Sequence, residues 1–206
     1  VREFFDDIGI NLHGKGRIIE DTGFFWVGGV QDTRKTISEI RDFFNSEDTS
    51  NLKPDSGALG TLKAFGITYE NGSFAVEEWS ESQYSALDAY VSPFEHSEEK
   101  IYEILSIAFS QIQDAPKKIV LSHVPPYEPG IVSSLPIGLS TGSNAVTEFI
   151  LDHNLNLSLS GHYHRHHEFQ VGKTNCIVVP AVTNGFYGVL TSSTSSDELQ
   201  TEMRKF

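Results

Sequence analysis

Cysteine is nearly absent from this 206-residue chain: Cys176 stands alone, so no internal disulfide can form and a reducing compartment, the cytoplasm, is the expected address. Basic side chains are scarce as well. Against 28 Asp and Glu there are 15 Lys and Arg, a formal net charge of −13. Nucleic-acid backbones and anionic membrane surfaces reward clustered cations. Lys and Arg runs here never exceed two residues, as at Lys117-Lys118 and Arg204-Lys205, so neither nucleic acid nor membrane is an expected partner. Also missing are an apolar run near the ~18 residues of a membrane span and a charged segment followed by an apolar one that would read as a secretory leader. What is present, 38% apolar residues, suffices for one globular domain that needs no disulfide or structural metal to stay folded.

Local signals divide the chain. Val1 to Ile8 reads as an apolar-faced helix, and Arg17–Ile19 is expected to pair with Gly23–Val27 across an Asp21-Thr22-Gly23 turn. Residues 31–91 combine an amphipathic stretch (Ile37, Ile40, Phe43, Phe44), a polar loop and a hairpin signal at Asn71-Gly72; they read as a peripheral insertion contributing no metal ligand, since they contain no His. Ser97-Glu98-Glu99 opens a helix with Ile101, Ile104, Leu105, Ala108 and Ile112 on its core face.

Beyond it, Lys118–Leu121 is a buried strand, Asn144–Asp152 a helix after Gly142-Ser143, and Leu155–Leu159 a second strand, an order that predicts a parallel unit. Glu168–Val171, Thr174–Val179 and Phe186–Leu190 read as a meander, and Ser192–Phe206 as a surface helix or tail. The expected sheet is therefore mixed.

Six of the eight His lie between His123 and His167, and two groups follow the predicted parallel strands, where open α/β sheets bind ligands. In Ser122-His123-Val124-Pro125-Pro126 the prolines end the strand and stiffen the loop beyond the imidazole. In Gly161-His162-Tyr163-His164, glycine permits a sharp turn and two imidazoles one residue apart can reach one cluster. Imidazole suits Zn, Fe, Mn or Ni. His13, His96, His153, His166 and His167 read as ordinary structural or solvated residues, and Cys176 as a small buried hydrophobe.

Taken in order, these two motifs, Gly142-Ser143 opening a helix, and Val171-Gly172-Lys173-Thr174 before Val178-Val179-Pro180 resemble the C-terminal half of a calcineurin-like metallophosphoesterase. Val27-Gly28-Gly29 and Ser92-Pro93-Phe94-Glu95 are similar to small members of that family, while residues 31–91 match nothing in it. The resemblance implies a four-layer α/β/β/α sandwich with mixed sheets. It also implies two divalent ions (Mn, Fe, Zn or Ni), with His123 and His162 as ligands of one and His164 as a ligand of the other. The implied reaction is hydrolysis of a small phosphate monoester or diester by a metal-bound hydroxide.

The family's earlier ligands, in Asp-x-His, Gly-Asp and Gly-Asn-His, have no counterpart here. The expectation is a single metallophosphoesterase-like domain over residues 1–206 whose N-terminal strands lie outside this sequence, with hydrolysis provided that the functional protein carries them, since His123, His162 and His164 alone supply neither a bridging carboxylate nor a general acid. The alternative is a catalytically inactive phosphoesterase-fold scaffold or binding protein. A cupin-like site at His162, His164 and Glu168 fails, because such a barrel needs a later His and none follows His167.

Overall fold

The computed structural model describes residues 13–29, 33–54, 59, 62–63, 65–91, 96–127, 142–163, 166–180, 185–192 and 199–206. The helix expected over residues 1–8 and the segment Ser92–Glu95 lie outside them. In chain order the elements are β1 (Gly16–Ile19), β2 (Thr22–Val27), α1 (Thr33–Ser46), β3 (Ile67–Glu70), β4 (Ser73–Val76), α2 (Glu81–Val91), α3 (Glu98–Ser110), β5 (Lys117–Ser122), α4 (Asn144–His153), β6 (Leu157–Ser160), β7 (His167–Val171), β8 (Thr174–Val178), β9 (Phe186–Ser192) and β10 (Leu199–Lys205). They divide into two compact units, residues 1–29, 96–126 and 142–206 in one and residues 30–95 and 127–141 in the other.

The first unit is built on a six-stranded sheet of order β1-β2-β5-β6-β8-β7. Its four central strands run parallel and the two edge strands antiparallel, giving the mixed sheet the sequence predicts. Two local expectations change. The first hairpin turns at Glu20-Asp21, because Ile19 pairs with Thr22. Glu20 carries the positive φ of 56° there. Gly23 is needed instead for close packing: a Cβ on it would lie 2.8 Å from Ile112 Cβ and 2.9 Å from Ala115 Cβ.

Next, β9 does not extend the β7–β8 hairpin into a meander but pairs with β10, so the stretch expected to be helix or tail is a strand. Its partly buried side chains, Leu199, Thr201 and Met203, alternate with exposed ones, but a Thr among them hides the period. β5 lies between β2 and β6.

Opposite faces of this sheet bury different partners. Phe25, Val120 and Cys176 face α3 and α4 through Leu105, Ala108, Val146, Phe149 and Ile150. Ile119, Leu157 and Ile177 on the other face are covered by Leu190 and Leu199 of the β9–β10 ribbon. A helix layer, a sheet and a ribbon are thus stacked in order. Helix starts follow their local chemistry. Ser97 Oγ accepts from Lys100 N–H at 3.2 Å and Ser143 Oγ from Val146 N–H at 3.2 Å. Glu98 joins the two helices, its carboxylate accepting from Ser143 Oγ at 2.6 Å and Ala145 N–H at 2.8 Å.

In the second unit, α1 buries Ile37, Ile40 and Phe44 as its periodicity predicts. Asn71-Gly72 turns the β3–β4 hairpin with both φ positive, 52° and 84°, the geometry that Asn-Gly favours. Helix α2 was not anticipated. Arg41 is buried, donates to the carbonyls of Phe65 and Glu77, and lies 4.7 Å from the Trp79 ring centroid. Among the described residues of the chain, no helix is long and apolar enough to cross a membrane.

Candidate metal centre

Strands β5 and β6 are parallel neighbours in register, Ser122 opposite Ser160, so both chains leave the sheet at one edge. Backbone bonds tie the two exits together: His123 N–H donates to Val27 O at 3.2 Å and Gly161 N–H to His123 O at 3.1 Å. The loop after His123 is held from the other side, where Ser143 N–H, at the start of α4, donates to Pro125 O at 2.8 Å.

Sequence reasoning gave the sharp turn after β6 to Gly161, yet His162 carries the left-handed φ, 72°. A non-glycine residue in that region is strained by about 1 kcal/mol or more, and such strain concentrates at sites where it orients a side chain. Here it aims His162 at His123. His162 Nδ1 and His123 Nε2 are 3.4 Å apart, with ring centroids at 5.2 Å and planes at 76°.

Metal ligation fits that spacing. Two imidazole nitrogens on one tetrahedral ion, each about 2.0–2.1 Å from it, stand roughly 3.4 Å apart. His164 lies outside the described residues. Among the described residues no three His, Cys, Asp or Glu side chains gather into a metal-holding group, so what the described residues bring together is a pair of imidazoles. It opens on a cleft of about 510 Å³ whose lining includes Trp26, Leu121, His123, Leu159, His162 and Pro180.

Three hydroxyls beside the imidazoles escaped sequence reasoning. Ser122 Oγ, Ser160 Oγ and Tyr163 Oη are buried and make no hydrogen bond among the described residues. They belong to the two motifs, but nothing in the sequence says that their hydroxyls turn inward.

Elsewhere the histidines behave as ordinary residues. His13 Nδ1 accepts from Gly28 N–H at 3.0 Å, which places the proton on Nε2 and leaves no lone pair for an ion. Its ring stacks on His96 with centroids 5.3 Å apart. His153 packs on Phe149 and Phe109, His166 meets Glu168 at 3.0 Å, and His167 stacks on Phe169. Cys176 is buried in the core.

Comparison with known proteins adds three findings. The family model described as calcineurin-like phosphoesterase matches residues 11–166. No curated protein sequence matches the chain. Among solved structures, TT1561 of Thermus thermophilus is 16% identical, with 93% of this chain and 57% of that one covered and a TM-score of 0.49. A second crystal structure is 11% identical over 95% of this chain and 53% of its own, with a TM-score of 0.52, a likeness of fold alone. A putative 5′-nucleotidase from Staphylococcus aureus, solved with α-ketoglutarate, is 14% identical over 93% of this chain and 29% of its own, with a TM-score of 0.40. The chain spans a little over half the length of the first two.

Proposed function

The chain belongs to the calcineurin-like phosphoesterases, whose fold its mixed sheet and helices match, and from this premise we propose that it hydrolyses a small phosphate monoester or diester with the help of two divalent ions. The observation that carries this reading is the 3.4 Å approach of His123 Nε2 and His162 Nδ1 at the ends of adjacent parallel strands. These atoms hold one ion. His164, two residues after His162 in sequence, would hold the other, with Mn, Fe, Zn and Ni as the candidate metals.

When bound, the ions supply positive charge against the phosphoryl oxygens and bring the pKa of a bound water toward neutrality. The chain's own part is positioning. Strands β5 and β6 fix the backbone at both imidazoles, and the Pro125-Pro126 loop is anchored on the start of α4. In a protein of net charge −13 that local positive charge is what draws the anion in. Aryl phosphates suit the site best, since their leaving oxygen needs little protonation.

The test is hydrolysis of 4-nitrophenyl phosphate with and without added Mn²⁺ or Zn²⁺. Metal-stimulated turnover that drops at least 100-fold in His123→Ala and in His162→Ala is the expected result. Weak binding of one ion with no turnover supports the inactive scaffold instead.

A further inference from the structure

His123 is exposed, so its imidazole is placed chiefly by the backbone that carries it. The ends of β2 and β6 hold His123 itself. Beyond it, Val124, Pro125 and Pro126 are buried, and a proline has no N–H, so this pair can be tied to neighbours only through carbonyls and ring packing. Ser143 provides a tie. Its N–H donates to Pro125 O at 2.8 Å, and a parallel bridge pairs it with Pro126. Ser143 is held in turn, its Oγ donating to Glu98 at 2.6 Å and accepting from Val146 N–H at 3.2 Å. The same carboxylate accepts from Ala145 N–H at 2.8 Å and Asn144 N–H at 3.3 Å, so one side chain of α3 engages three successive residues at the start of α4. Val124 packs beneath, where it lines a cavity of only about 10 Å³ together with Val27, Ile101, Ser122, Ser143 and Val146. That is room for one water at most, so the junction has little slack and a shift of Ser143 reaches the loop.

We propose that Glu98 is a positioning residue for the candidate metal centre: through Ser143 and Pro125 it sets where His123 Nε2 stands against His162 Nδ1. The proposal deepens the two-ion reading and rests on it for the ion. A shared ion asks for both nitrogens at about 2.0–2.1 Å, and a displacement of about 0.5 Å at one ring already spoils that geometry. Hydrogen bonding, rather than charge, carries the effect. Glu98 Oε2 meets both Ser143 Oγ and Ala145 N–H, and an amide oxygen has the two lone pairs to do the same. Glu98→Gln therefore keeps the tie and Glu98→Ala cuts it. A residue that only capped α4 would affect stability and leave the imidazoles where they are.

The test uses the full chain and reads the two histidines directly. Imidazole nitrogen resonances of the metal-free, ¹⁵N-labelled protein are assigned with His123→Ala and His162→Ala, and Zn²⁺ affinity is measured by competition with a chromophoric chelator. Glu98→Ala is expected to move the His123 and His162 resonances and to weaken Zn²⁺ binding about tenfold, the low end of what outer-shell partners contribute. Glu98→Gln is expected to restore both. Gly23→Ala, which crowds Ile112 and Ala115 beyond the end of α3, controls for lost stability and is expected to change neither. Should Glu98→Ala fail to fold, Glu98→Asp, which withdraws the carboxylate by one methylene, takes its place with the same expectations.

Resonances and affinity that stay unchanged without the Glu98 carboxylate, or that change equally in Gly23→Ala, overturn the proposal. Glu98→Gln behaving as Glu98→Ala overturns the tie through Ser143. Moved resonances in Glu98→Ala, with no Zn²⁺ bound at the two imidazoles of the unaltered chain, keep the positioning role and sink the two-ion reading.

Discussion

Lys117 is 1% exposed, a rare place for an ammonium, and it is held there by Asp21 Oδ2 at 2.9 Å and Ser192 Oγ at 3.2 Å. The hydrogen bond from Lys117, then that from Thr22, pulls the Asp21 carboxyl below its ordinary value of 3.8. A carboxyl lowered in the folded state stabilises it fully above about pH 5 and loses that contribution as pH falls below about 4. Asp21→Asn is therefore expected to lower Tm at pH 7 and to flatten its fall between pH 5 and 3; thermal melts across that range check it, and an unchanged acid limb counts against the pair. Ser158 makes the opposite case. Its buried hydroxyl, between Val120 and Cys176 in the sheet, has no hydrogen-bond partner. Ser158→Ala removes an uncompensated polar group and is expected to raise unfolding stability by up to about 1 kcal/mol in urea titration. Neither side chain is legible in sequence, because burial of Lys117 depends on a partner 96 residues away.

Among the elements, α4 has the most consequential start. Glu98 accepts from both Ser143 Oγ and Ala145 N–H, and Ser143 in turn caps Val146 and donates its backbone N–H to the loop after His123. Glu98→Ala is expected to cost about 1–3 kcal/mol, more than the roughly 1 kcal/mol of Ser97→Ala, whose cap serves one helix only. Guanidinium denaturation of the two variants reads the order; equal costs would mean the bridge between helices adds nothing. Gly23→Ala, which sets a methyl under 3 Å from Ile112 and Ala115, should cost about 1–3 kcal/mol in the same assay. Helix starts at Ser97 and Ser143 and the Asn71-Gly72 turn are legible because their chemistry is local. Gly23 misled because a glycine in a turn and a glycine under a packed helix look alike in sequence, and β10 stayed hidden because Thr201 interrupts the apolar alternation of Leu199 and Met203.

At the scale of the whole molecule, the convergence of His123 and His162 was legible, since each sits just past a short apolar strand and α/β sheets gather such ends at one edge. The buried hydroxyls of Ser122, Ser160 and Tyr163 beside them were not, because nothing in the sequence says that these side chains turn inward. Net charge draws the same line. A −13 chain turns away polyanions, so its affinity for phosphate should depend on divalent ions and vanish with a chelator, whereas a surface-charge mechanism would persist in one. The central claim is that the two imidazoles hold an ion, and crystals grown with Zn²⁺ test it most directly through anomalous scattering at the zinc edge. The account predicts a peak within about 2.1 Å of both His123 Nε2 and His162 Nδ1; zinc bound only at other side chains, with those two nitrogens still paired with each other, would contradict it.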